Sequence, residues 1–266
     1  MSDTSETPKR HKEPNQGRLP DRSHQQPTHR AADQIPPLLT EVTRKAMATE
    51  FAILIPPHSL EAVELAVTTL ERLDEIEQTL TIYRPDSEVS RINQNADKNP
   101  VFVSNSTFQL IQRAVQWSRR THGAFDITAG PLVKAWGFTE RNGRKPSPQE
   151  VETARAKVGY QYLLLDSPKQ TVQFDKPEMS INLGGIGKGD ALDQIASELR
   201  QGGLNDFLIH GGNSSVLAAG DQTLDSGLGW AVGISHPTKP KRRLAGIWLR
   251  NQALATSGSG KQFFHH

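Results

Sequence analysis

The sequence predicts an α+β fold, and two observations lead there. Helical periodicity clusters in the first half of the chain, while short β-rich runs dominate the second. Strands and helices nowhere alternate as a doubly wound sheet requires, so helices packed on mixed or antiparallel sheets are expected. No internal repeat is present.

Residues 1–42 are polar and dotted with Pro8, Pro14, Pro20, Pro27, Pro36 and Pro37. Such a segment cannot bury enough apolar surface to offset its ordering entropy and reads as a disordered tail. The folded domain is expected over 43–266. Phe51 to Ile55 (FAILI) reads as a buried strand. Ser59 then offers an N-cap to a long helix whose inward face is Leu60, Val63, Val67, Leu70, Leu73 and Leu80, with glutamates and Arg72 opposite. A second helix fits Thr107 to Thr121, with Phe108, Ile111 and Val115 inward. Ser147-Pro148-Gln149-Glu150 is a capping box with proline at the first helical position, opening a third. Strands follow at Tyr160 to Leu165 and Thr171 to Phe174, joined by a turn containing Pro168. Leu192, Ile195, Ala196 and Leu199 mark one more helix, stopped by Gly202-Gly203. The remaining strands are expected at Phe207 to Ile209, Ser214 to Ala218, Trp230 to Ile234, Leu244 to Leu249 and Ala253 to Thr256.

Composition narrows the chemistry. The 266-residue chain carries a net charge of +2, so no strongly basic nucleic-acid surface is implied. It has no cysteine, which excludes disulfides, thiolate catalysis, cysteine-based metal centres and a lipid-modified N-terminal cysteine. No apolar run reaches membrane-spanning length and no secretory h-region is visible, so the default expectation is cytoplasmic.

The most informative stretch is Ile181 to Asp193, INLGGIGKGDALD. Gly184, Gly185, Gly187 and Gly189 let backbone approach a ligand, and a glycine turn feeding a helix start presents free N–H groups to an anion. Lys188 adds a positive charge beside it. A tight turn with a solvated lysine is the competing reading. The spacing is not that of a P-loop, here or at Ser259-Gly260-Lys261.

Other constellations are ambiguous taken singly. In Tyr83-Arg84-Pro85-Asp86-Ser87-Glu88 the tyrosine either stacks on a planar ligand or packs in an ordinary polar turn. After a C-capping Gly123, Phe125 and Asp126 either clasp a heteroaromatic ring or serve the turn that ends at Pro131. His210, ahead of Gly211-Gly212-Asn213, is a candidate acid or base or a structural histidine. Thr256-Ser257-Gly258 ends a strand in small residues, without an assignable triad. His265 and His266 lack the carboxylate spacing of a metal site.

In order, Met47-Ala48-Thr49-Glu50-Phe51, IYRPDSEVSRIN, GAFDITAGPLVKAWGF, INLGGIGKGDALD, the paired glycines and LATSG resemble the ApbE family of FAD:protein FMN transferases. The likeness runs from about Thr43 to the C-terminus. It implies a Mg²⁺-dependent transfer of FMN from FAD to a threonine or serine hydroxyl of an acceptor flavoprotein, with release of AMP. It further implies that Met47, Tyr83, Ala124, Phe125, Asp126, Asn182 and Lys188 line the FAD site, and that the Gly185 carbonyl is a magnesium ligand. An FAD pyrophosphatase and a non-catalytic flavin-binding remnant are the alternatives. This chain departs from the family pattern in carrying Asn182 for an aspartate, Gly185 and Gly187 for alanines, and Ser259 after the TSG triplet. The family's His-x-x-Asp-Pro-x-Thr-Gly segment and its following Asp/Thr metal ligands find no counterpart before His266, so a C-terminally truncated member with uncovered sheet edges is expected.

Overall fold

In the computed structural model, residues 38–57, 60–140, 142–212, 214–239 and 242–257 are described. The tail assigned to residues 1–42 lies almost wholly outside them, as do Ser59, Asn213, Gly258 and the stretch from Ser259 to His266. The first apolar run forms a hairpin of β1 (Thr40–Ala46) and β2 (Thr49–Ile55), joined by the two-residue turn Met47-Ala48. Both turn residues are left-handed, at φ 50° and 57°, as this hairpin class requires to match strand twist.

Among the described residues the strands form three sheets, all antiparallel. The largest has the order β1-β2-β6-β7-β10, where β6 is Phe207–Gly211, β7 is Ser215–Ala219 and β10 is Gln252–Ala255. A second pairs β3 (Val101–Phe102), β5 (Thr171–Phe174) and β4 (Leu163–Asp166) in the order β3-β5-β4. A third is the hairpin of β8 (Trp230–Ser235) and β9 (Arg243–Leu249).

One face of the large sheet carries Phe51, Ile53, Phe207 and Ile209 against helices α1 (Leu60–Leu80) and α6 (Gly187–Gln201). The opposite face carries Leu208 and Ala218 against Trp230 and Leu249 of the β8–β9 hairpin, whose indole N–H donates to Ala219 O at 2.9 Å. Burial on both faces explains why β2 and β6 read as continuous apolar runs. A separate core joins the small sheet to α2 (Glu88–Asn95) and α3 (Asn105–Arg120), around Val89, Ile92, Phe108, Ile111 and Val172.

Several expectations need correcting. The buried stripe of α1 is Ala66, Thr69, Leu70, Leu73 and Ile76, whereas Leu60 is 70% exposed and Val67 45% exposed. The polar turn after Tyr83 forms, with Ser87 N–H donating to Arg84 O at 3.3 Å, but it leads into an unexpected two-turn helix, α2, capped by Ser87, whose Oγ accepts from Ser90 N at 2.9 Å. A short helix α4 (Gly130–Ala135) stands where only a turn was expected, and Tyr160–Tyr162 is a 3-10 turn before β4. Helix α5 (Pro148–Arg155) has both bonds of the expected capping box.

Candidate functional site

The glycine-rich segment is held from both sides before α6 begins. Asn93 of α2 clamps Ile181 with both ends of its amide, accepting from Ile181 N at 2.7 Å and donating to Ile181 O at 3.0 Å. Asn182 donates its backbone N–H to Ile127 O at 2.8 Å, and its side-chain oxygen accepts from Gly184 N at 2.8 Å. That local turn lets Ile186 and Gly187 both donate to Leu183 O, and the helix starts at Gly187 itself. Lys188 and Gly189 therefore sit in the first turn. Their amides make no backbone hydrogen bond among the described residues, leaving donors at the positive end of the helix dipole.

Phe125 lies over this segment: a methyl group built on Gly185 would stand 3.4 Å from its Cε2. Leu80, at the end of α1, faces Gly187 and touches both major cores. The segment thus runs along the seam between them.

The second wall is the β1–β2 turn. Met47 packs partly on the large core, and its N–H donates to Glu77 Oε2 at 2.8 Å. Lys45, Ala46, Ala48, Thr49, Glu50 and Glu77 line a cleft of about 440 Å³. Across the sheet, Gly212 (φ 62°) donates to Glu50 O at 2.8 Å and lies so close to Thr49 that an added Cβ would stand 2.4 Å from Oγ1. Two residues on, Ser214 Oγ accepts from Lys188 Nζ at 3.0 Å. Contacts and short stretches of chain therefore link the Met47 turn, by way of Thr49, Gly212 and Ser214, to Lys188, Gly185 and Phe125.

The other expected residues fall into place unequally. Asp126 serves the backbone: Oδ1 accepts from Thr128 N and Oγ1 at 2.8 and 2.7 Å, and Oδ2 accepts from Tyr160 N at 2.9 Å. It fixes the loop that presents Ala124 and Phe125. Tyr83 is 59% exposed on the α1–α2 connection, three residues past Leu80. His210 stands on the β6 face shared with Leu208, turned from α1 and α6, and its Nδ1 is shut from solvent without a partner among the described residues. Ser257 is exposed, and Thr256 N–H donates to Ser214 O at 2.8 Å. Glu77, Asn93, Thr128 and Ser214 were missed in the sequence, because each acts on a residue at least 26 positions away, beyond any local pattern.

Deeper in α6, burial pushes the Asp190 carboxyl above the usual carboxylate range, against the opposing hydrogen bond from Gln194 and the charge of Arg113 on α3. Burial pushes Asp193 up as well. Gly185 offers one carbonyl oxygen for magnesium, but among the described residues no three His, Cys, Asp or Glu side chains converge on a metal position. An octahedral oxygen site needs more than one carbonyl, so the described residues do not fit Mg²⁺ and no step is assigned to it. Among them, no helix is long and apolar enough to cross a membrane.

The chain is similar to known proteins over most of its length. The chain is 31% identical over 201 residues to an FAD:protein FMN transferase of Vibrio cholerae, covering 74% of this chain and 59% of the relative. It is 30% identical over 235 residues to the FAD:protein FMN transferase of Escherichia coli, covering 85% and 66%. The chain thus spans between about three fifths and two thirds of the length of these curated relatives. Among solved structures, the ApbE protein of Thermotoga maritima superposes with a TM-score of 0.78 at 29% identity, covering 86% of this chain and 73% of that one. The flavin transferase ApbE of Vibrio cholerae gives 0.72 at 28% identity, covering 86% and 75%. Residues 47–266, from the methionine of the hairpin turn onward, match the profile of the ApbE family, and the chain belongs to that family.

Proposed function

We propose that this chain binds FAD and transfers its FMN half to a threonine or serine hydroxyl of an acceptor protein, releasing AMP. The observation that carries the reading is the junction at Gly185: an aromatic ring against bare backbone, beside a helix start with two open amides and Lys188. Bare backbone, free N–H donors and an ammonium suit a pyrophosphate, and the ring suits a heteroaromatic neighbour. In this reading Met47, Tyr83, Ala124 and Phe125 line the nucleotide, Asp126 and Asn182 shape the backbone around it, and Lys188 meets its phosphates.

The chemistry balances without a covalent enzyme intermediate. The acceptor oxygen forms a bond to the FMN phosphorus, the bond from that phosphorus to the bridging oxygen breaks, AMP leaves with that oxygen, and the hydroxyl proton passes to solvent. Such a displacement depends on positioning and on neutralising phosphate charge, which Lys188 and the α6 amides supply.

The test is to incubate the chain with FAD, Mg²⁺ and an acceptor flavoprotein domain, following AMP and the acceptor mass together. A mass gain of one FMN with matching AMP is expected. AMP with free FMN and an unlabelled acceptor would make the protein an FAD pyrophosphatase instead. FAD binding without AMP would leave a flavin-binding module, and no FAD binding would overturn the flavin reading altogether.

A further inference from the structure

Helix α1 clamps the β1–β2 hairpin with two carboxylates on one face, Asp74 and Glu77, spaced three residues apart. Asp74 takes a two-pronged ion pair from Arg44 in the body of β1, with Nε to Oδ1 at 3.0 Å and Nη2 to Oδ2 at 2.5 Å. Glu77 reaches one residue beyond the strand and accepts the Met47 amide at 2.8 Å. The two contacts differ in what they hold. Arg44–Asp74 ties strand to helix, whereas Glu77 ties down the turn alone.

That turn needs holding. A two-residue hairpin of this class requires left-handed backbone at both central positions and usually places Asn or Gly there. Here they are methionine at φ 50° and alanine at φ 57°, neither of which favours that region. The closing pair Ala46–Thr49 belongs to the ladder, but the Met47 amide falls outside it and is free for another acceptor. Glu77 supplies that acceptor while itself lining the 440 Å³ cleft beside Ala46, Ala48 and Thr49.

We infer that Glu77 is a positioning residue of this site: by accepting the Met47 N–H it holds the strained Met47-Ala48 turn in the shape that receives the flavin nucleotide. The inference rests on the flavin function proposed above. A charged acceptor makes a hydrogen bond roughly twice as strong as a neutral one, which suits a turn whose own residues resist its geometry. Because Arg44–Asp74 still anchors the strand when Glu77 is removed, the expected defect is a loosened turn in a folded protein.

The test reads turn and ligand separately in the full chain. Amide hydrogen exchange at Met47 and Ala48 reports on the turn, and quenching of flavin fluorescence reports FAD affinity. Glu77→Ala is expected to speed Met47 exchange and weaken FAD binding, each about tenfold, the equivalent of roughly 1.4 kcal/mol. Glu77→Gln keeps a neutral acceptor, so both effects should stay within about threefold. Ala48→Gly added to Glu77→Ala should restore most of the affinity, because glycine holds a positive φ unaided. Glu77→Asp, which keeps the charge but retracts the carboxylate by one methylene, carries the same test should Glu77→Ala not fold.

Unchanged exchange, unchanged affinity, or an affinity loss that Ala48→Gly does not recover would each overturn the inference. A wild-type chain that takes up no FAD would instead sink the flavin reading, and exchange at Met47 would still show whether Glu77 holds the turn.

Discussion

Gly212 and Gly185 sit about the same site for different reasons. Gly212 has φ 62°, and a Cβ there would meet Thr49 Oγ1 at 2.4 Å, so both backbone and space oppose a side chain. Gly185 has ordinary φ, and a Cβ would stand 3.4 Å from Phe125, within van der Waals reach. Gly212→Ala should therefore cost about 2 kcal/mol in urea denaturation, while Gly185→Ala should stay within about 0.5 kcal/mol. Equal losses would mean that the β6–β7 turn relaxes more readily than its geometry implies. Ser214→Ala removes the hydroxyl that steers Lys188. Its expected effect is an FAD affinity about threefold to fivefold weaker with an unchanged melting temperature, read by titration and calorimetry side by side. Asp126 shows where residue-level reading stops: ring clasp and turn bond were both open in sequence, the turn bond the safer, and the structure engages both carboxylate oxygens with backbone N–H groups and Thr128.

Elements were legible in proportion to the number of independent local signals they carried. Helix α5 had three, a capping serine, a proline at the first position and Glu150 at the third, and it forms with all of them satisfied. The Arg144 guanidinium, then the Ser147 amide, pull the Glu150 carboxyl down to about 2. A depressed folded value means the contribution is present above the ordinary glutamate range and lost as pH falls from about 4.5 through about 2. Amide protection at Glu150 and Val151 should therefore fall over that interval, and less so in high salt, since the exposed pair is then screened and has less to lose. No change there would assign α5 to packing alone. Helix α2, with two turns and a mostly polar surface, had too few apolar positions to reveal a period. In α1 the apolar stripe was read by residue size, yet the buried line runs through Ala66 and Thr69. Small residues let α1 approach α6 and the sheet, and the larger Leu60 and Val67 are left outside.

At the scale of the molecule, the site lies on the seam between two separately packed cores, and the seam has an ionisable brace. Arg113 belongs to the α2–α3 core and Asp190 to α6 on the large sheet, so their ion pair spans the boundary. Burial raises the folded carboxyl of Asp190 above its unfolded value, so the folded state holds this proton more tightly. Its stability contribution is complete below the unfolded aspartate value of about 3.9 and diminishes as pH rises through the raised one. Asp190→Asn should flatten that part of the stability-versus-pH curve, measured by urea denaturation from acid to neutral pH. A variant with the wild-type slope would assign the dependence to Asp193, which burial shifts the same way.

The sequence by itself determined the α+β class, the position of most helices and strands, and the ordered motifs that identify the ApbE family. These depend on periodicity, caps and turn residues, all of which act over a few neighbouring positions. The tertiary structure alone decided which face of α1 is buried, that His210 turns away from α1 and α6, and which residues meet at the site. Met47 with Glu77, Phe125 with Gly185 and Lys188 with Ser214 are joined across 26 to 60 positions of chain. Such contacts follow from how the packed cores place their elements in space, and no local period encodes that placement.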